Sequence, residues 1–187
     1  GSIDLDGIWA QIHAAAVEMA EHESHLRHML DDVVISRNNL AESLAVRLAR
    51  RLSREDMQRA ELEPLFGNIF AANESIVRSV ARDMTAIVDR DPACSSALEP
   101  LLFYKGFLAI SAYRVANSLW SEGRRSLALY LQSIVSETFA VDIHPAAQIG
   151  CAILLDHATS VVIGETSIVE DNVSILHEVT LGGTGKM

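Results

Sequence analysis

The chain has 187 residues, 49% apolar and 21% charged, which fits one large domain or two small ones and argues against disorder. With 15 basic and 25 acidic side chains the net charge is −10, and lysine occurs only at Lys105 and Lys186, so no basic stripe awaits a nucleic acid. No apolar run reaches membrane-spanning length, no segment reads as a signal peptide, and Gly1-Ser2 reads as the scar of a cleaved tag.

The first predicted elements are helices. Ile8, Ile12, Ala15, Ala16 and Met19 form one apolar stripe, and Leu40, Leu44, Leu48 and Leu52 repeat at i, i+4 in a second. Leu62, Leu65, Phe66 and Ile69 mark a third helix, with Pro64 expected in its first turn or at a break. Ile76, Val80, Met84 and Ile87 mark a fourth. The segment from Leu101 to Trp120 is apolar on more than one face, so it is expected to be well buried, with Gly123 as its stop. Ser126 to Val135 carries one more helix. Short loops make neighbouring helices antiparallel.

Every Trp, Tyr and Phe lies at or before Phe139; beyond it Ile, Val, Gly and Thr dominate. The period changes there too. Ile143, Ile149 and Leu155 are six apart, and after a two-residue slip Ile163, Val169, Ile175 and Leu181 are again six apart. Four residues after each anchor stand Ala147, Ile153, Thr159, Ser167, Val173, Val179 and Gly185, mostly small or β-branched. Neither a helix nor a simple strand has this period. A β-solenoid does, with the anchors lining its interior. Gly150, Gly164 and Gly182 each follow an anchor, where a tight turn wants a permissive backbone. Seven hexads make little more than two triangular coils, and no polar cap follows, so the chain is expected to be a truncation of a longer protein.

The stretch Val141-Asp142-Ile143-His144-Pro145-Ala146-Ala147 resembles the serine O-acetyltransferase family. So do Leu155-Asp156-His157-Ala158-Thr159, Gly164-Glu165-Thr166 and Thr180-Leu181-Gly182-Gly183-Thr184-Gly185-Lys186. Arg90-Asp91-Pro92-Ala93 and Tyr104-Lys105-Gly106-Phe107 are similar to its helical domain. The hexads alone would indicate only a broad acyltransferase superfamily. The resemblance implies an α+β fold, with an all-α helical domain over residues 3–139 and then a truncated left-handed parallel β-helix of hexapeptide repeats over 140–187. It implies acetyl transfer from acetyl-CoA, as co-substrate, to the hydroxyl of L-serine in cysteine biosynthesis. Further implications are feedback inhibition by cysteine, a homotrimer or a hexamer built as a dimer of trimers, and a C-terminal tail, absent here, that docks into O-acetylserine sulfhydrylase. No metal, nucleic acid or membrane is expected.

An alcohol needs a base to become a nucleophile, and histidine is the side chain suited to that role near neutral pH. His157 matches the family's catalytic histidine, and Asp142 its partner carboxylate, 15 residues earlier and close to one coil away. Asp156 and Asp91 match positions that contact the amino acid, although Asp91 also reads as a helix-end residue before Pro92. The run containing Gly183 and Thr184 lies, in the family, near the CoA cleft, although as a bare motif it is a glycine-rich solenoid turn. The family's carboxylate clamp, an Arg-His pair beyond Lys186, and a second active-site histidine are outside this chain, so impaired activity is expected.

Other residues read as structural. His144 before Pro145 is one, and His177 is taken as a bystander. His22, His25 and His28 share a solvated charged face, and Arg47, Arg50, Arg51 and Arg54 form a basic cluster facing solvent or an interface. Cys94 and Cys151 are too few for a disulfide framework and read as packing residues, consistent with the cytoplasm. Three alternatives stay open: a zinc enzyme using His144, His157 and His177, an acetyltransferase with homoserine or a sugar as acceptor, and a non-catalytic assembly module.

Overall fold

The computed structural model describes residues 2–183 and divides into two compact units, Gly1–Phe103 and Tyr104–Met187. Among the described residues no helix is long and apolar enough to cross a membrane.

The first unit is helical. Asp4 caps α1 (Leu5–His22) by accepting from the Gly7 N–H at 3.0 Å. A 3₁₀ turn (Ser24–Leu26) and α2 (Arg27–Leu30) follow, none of which the apolar stripes foretold. His22, His25 and His28 are exposed there, as expected. A π-helical turn (Asp31–Ile35) comes next, closed by the Ser36 N–H on the Asp31 carbonyl at 3.0 Å. Asn39 then caps α3 (Leu40–Leu52), whose four i, i+4 leucines are all buried. In α4 (Arg59–Ala72), Leu62, Phe66 and Ile69 face the core, while Leu65 is half-buried. Pro64 lies past the first turn of an unbroken helix, not in that turn or at a break. α5 (Glu74–Arg90) and the short α6 (Leu98–Phe103) complete the unit.

Two charged features organise this unit. Asp32, on the π turn, takes two bonds from Arg59 (2.7 and 2.8 Å), one from Arg50 (2.8 Å) and one from Arg37 (3.0 Å). Arg59 and then Arg50 hold its carboxyl far below the usual carboxylate range. Arg47 overturns the expectation of a solvent-facing cluster: it is only 8% exposed. Its guanidinium donates to the Leu101 carbonyl at 3.2 Å and to that of Leu102, satisfying the last turn of α6. Burial pushes this guanidinium down to about 10.

The second unit joins two helices to the coils. α7 (Lys105–Ser121) is buried nearly all round, and α8 (Arg125–Phe139) packs along it. Gly123, at φ 81°, ends α7 as expected, with the Arg124 N–H reaching the Leu119 carbonyl. After Ala140 in a left-handed turn come β1 (Val141–Ile143), β2 (Gln148–Ile149), β3 (Leu154–Leu155), β4 (Val161–Ile163), β5 (Ile168–Val169), β6 (Ser174–Ile175) and β7 (Thr180–Leu181). They stack in parallel as β1-β4-β7, β2-β5 and β3-β6, the three faces of a left-handed β-helix. α7 and α8 pack on β1, and α7 also on β3, covering the first coil's edge.

The anchors lie inside: Ile143, Leu155, Ile163, Val169 and Ile175 are buried, Ile149 and Leu181 half-buried. Register shows where the slip sits. Val141 pairs with Val161, a 20-residue step, whereas Val162 pairs with Thr180, an 18-residue step. The extra pair falls in the corner between β3 and β4. There Ala158 is fully buried, while Thr159, four residues after its anchor, is exposed. The solenoid glycines also act differently from expectation. None of Gly150, Gly164 or Gly182 has positive φ; the left-handed corners belong to Ala152, His157, Ala158, Ser160, Asn172 and Glu178. What Gly164 supplies is stacking room, since a Cβ there would come within 3.3 Å of Gly182 Cα.

Candidate active site

The corner from Asp156 to Ser160 concentrates strain and chemistry. His157, Ala158 and Ser160 have φ of 60°, 67° and 62°, in the region that disfavours residues with a Cβ. Three non-glycine residues held there cost about 1–3 kcal/mol each, so their surroundings must over-determine the turn. The Asp156 N–H donates to the Ile175 carbonyl and the Ser160 N–H to the Ala140 carbonyl, both at 2.8 Å. The Glu178 N–H donates to the Thr159 carbonyl, also at 2.8 Å. Fully buried Ala158 is the plug beneath the turn.

The start of α7 supports the corner from one side. A Cβ on Gly106 would collide with the Leu155 carbonyl and approach Leu155 Cβ at 2.9 Å and Ala158 Cβ at 3.0 Å, so only glycine lets the helix come this close. The neighbouring Lys105 donates from Nζ to the Thr159 hydroxyl. These contacts give the Lys105-Gly106-Phe107 segment a physical reason that its sequence did not disclose.

Held outward by this turn, the His157 side chain is 72% exposed. Its Nε2 lies 3.7 Å from the Asp156 carboxylate, at ion-pair range but beyond a hydrogen bond. Its ring meets that of His177 edge-on, centroids 5.8 Å apart and planes at 77°. An accessible imidazole beside a carboxylate can take a proton from a bound hydroxyl.

The other sequence-predicted residues fall as follows. Asp142 points outward from β1, half-buried, and accepts from Gln132 Nε2 of α8 at 2.8 Å, so within this chain its partner is Gln132 and not His157. Asp91 lies in the first unit, just past α5, where its carboxylate accepts from the Ala93 N–H at 2.9 Å; the helix-end reading of it holds. Gly183 is exposed after β7, and Thr184 lies outside the described residues. His144 is structural, as expected: Nδ1 accepts from the Ala146 N–H at 3.0 Å and the ring meets Trp120 edge-on at 5.0 Å. That engagement keeps it out of the His157–His177 pair, and among the described residues no group of three metal-ligating side chains converges.

Reasoning from sequence missed Gln132, Gly106 and the placement of His177. For His177 a signal existed. It follows His157 by 20 residues, the register that pairs Leu155 with Ile175.

A family model described as "Serine acetyltransferase, N-terminal" matches residues 8–112. Probable serine acetyltransferase 1 of Oryza sativa subsp. japonica is 52% identical over 98% of this chain and 60% of its own length. Serine acetyltransferase of Escherichia coli K12 is 44% identical over 98% of this chain and 67% of its own length. The chain thus spans about 60% of the rice relative. Among solved structures, soybean serine acetyltransferase complexed with serine superposes with a TM-score of 0.94 at 48% identity, covering 96% of this chain and 74% of that one. A serine acetyltransferase complex with CoA gives 0.95 at 43% identity, covering 97% and 78%. A complex with cysteine gives 0.96 at 43% identity, covering 98% and 76%.

Proposed function

Because the chain belongs to the serine acetyltransferase family, we propose that the protein carrying it transfers acetyl from acetyl-CoA to the hydroxyl of L-serine, giving O-acetyl-L-serine and CoA. The observation that carries this reading is the two-residue insertion that holds His157 outward on a strained, well-braced corner. His157 takes the serine hydroxyl proton as the oxygen attacks the thioester carbonyl. The tetrahedral intermediate expels the CoA thiolate, and the imidazolium returns the proton to that sulfur. Asp142 is the proposed carboxylate that orients His157, and Asp156 and Asp91 are the proposed partners of the serine ammonium. Gly183 and Thr184 are proposed to line the path of acetyl-CoA. Solved relatives bound to serine and to CoA support both substrates, and one bound to cysteine supports feedback inhibition.

The proposal extends to assembly. Residues 3–139 serve oligomerisation and part of the serine site, and residues 140–187 begin the acyltransferase coils. The assembly is a homotrimer or a dimer of trimers in the cytoplasm, with O-acetylserine sulfhydrylase as partner through a C-terminal tail.

The test is thiol release from acetyl-CoA with and without L-serine, on this chain and on the natural gene product that carries it. Serine-dependent release by the gene product, with O-acetylserine as product, is the expected result. Release that follows homoserine or a sugar instead, or none at all, overturns the reading. Asp142→Asn is expected to lower kcat, and Asp156→Asn to raise KM for serine.

A further inference from the structure

We propose that Gln132 is the positioning residue of Asp142: its side-chain amide holds one carboxylate oxygen so that the other is aimed at the His157 ring. The inference rests on the acetyltransferase reading given above, in which Asp142 orients the base.

The contact is built by the turn at Ala140. α8 is fixed by its buried residues Leu131, Ile134 and Val135. Ala140, left-handed at φ 56°, donates its N–H to the Ser136 carbonyl at 2.9 Å and brings β1 back against the helix it has just left. On β1, Val141 and Ile143 are buried, so Asp142 between them faces outward. Gln132 Nε2 then donates to Asp142 Oδ1 at 2.8 Å, a charge-assisted bond between residues ten apart. An ionised carboxylate only accepts, so the amide must present its NH2 group, and Oδ2 is left for a second donor. The same turn carries the base. The Ser160 N–H donates to the Ala140 carbonyl at 2.8 Å, which ties the corner holding His157 to the start of β1.

Asp142 needs this hold. Its neighbour across the ladder, Val162, is apolar and offers no side-chain donor. The carboxylate is only half-buried, so packing does not fix it. Without Gln132 it would spread over its staggered χ1 wells, only one of which aims Oδ2 at the imidazole. That dilution is a loss of about threefold to tenfold in kcat. Gln132 acts through Asp142 and touches neither substrate, so both KM values stay unchanged.

The test is serine-dependent thiol release by the natural gene product, with matched melting curves. Gln132→Met keeps the length of the side chain but has no donor. It should lose about threefold to tenfold in kcat with KM for serine and for acetyl-CoA unchanged. Gln132→Glu should be slower still, because a second carboxylate repels Asp142, whereas a packing role would leave the two variants alike. In an Asp142→Asn background, Gln132→Met should change kcat by less than about twofold, since the group it positions is already disabled. Three results overturn the inference alone: unchanged kcat in Gln132→Met, the same fractional loss in both backgrounds, or a loss that appears in KM instead of kcat. Wild-type kcat in Asp142→Asn overturns the reading of Asp142 itself, and the positioning role with it.

Discussion

The helical unit and the coils use charge and backbone in opposite ways. In the first unit the conspicuous charges are consumed by structure: Asp32 is held by Arg59, Arg50 and Arg37, and Arg47 closes the end of α6. Its helices follow ordinary caps and leucine stripes. In the coils the fully buried residues, among those described, are apolar, and the charge at the β3–β4 corner is left exposed on strained backbone. Strain that packing tolerates beside solvent-facing His157 and Asp156 marks a region shaped for chemistry, whereas charges held by structural partners mark one shaped for stability.

The contrast is sharpest in stability measurements. Leu48→Ala, deep in the helical unit, should cost about 2–5 kcal/mol in denaturant unfolding, because a fully buried side chain leaves a cavity. Gly106→Ala should cost about 1–3 kcal/mol and also slow acetyl transfer, since the new methyl pushes on Leu155 and Ala158 under the corner. A Gly106→Ala protein with unchanged activity would break the link between α7 and the site.

Asp32→Asn should remove about 1–3 kcal/mol at neutral pH by loosening the arginine clamp. The sign follows from linkage. The folded carboxyl lies below its unfolded value, so its stabilisation is present above about pH 4 and drains away as pH falls further. Wild type should therefore lose this contribution on acidification below pH 4, and Asp32→Asn should show a shallower acid limb in urea melts. The smallest effect is a gain. Gly67→Ala, within α4 where an added Cβ meets nothing, should stabilise by about 0.4–1 kcal/mol, opposite in sign to Gly106→Ala.

What could be read in advance followed periodicity. The leucines of α3 and the six-residue anchors each repeat along one face, so their burial was legible. Contacts that join distant residues were not. Nothing local shows that Arg47 will meet the carbonyls of Leu101 and Leu102, or that Gln132 will take Asp142. The corner fell between these cases. The two-residue slip was visible, but that it turns three non-glycine residues left-handed and buries Ala158 beside an exposed Thr159 depends on stacking against the next coil. The glycines misled for the same reason: their service is room between coils, which a single strand of sequence does not display.

The most direct measurement is serine-dependent thiol release by His157→Asn beside wild type, with matched melting curves. The account predicts a loss of about 10²–10⁴-fold in kcat at unchanged stability, since the side chain is exposed and only the base is removed. A variant within threefold of wild type would show that the corner does not carry the chemistry.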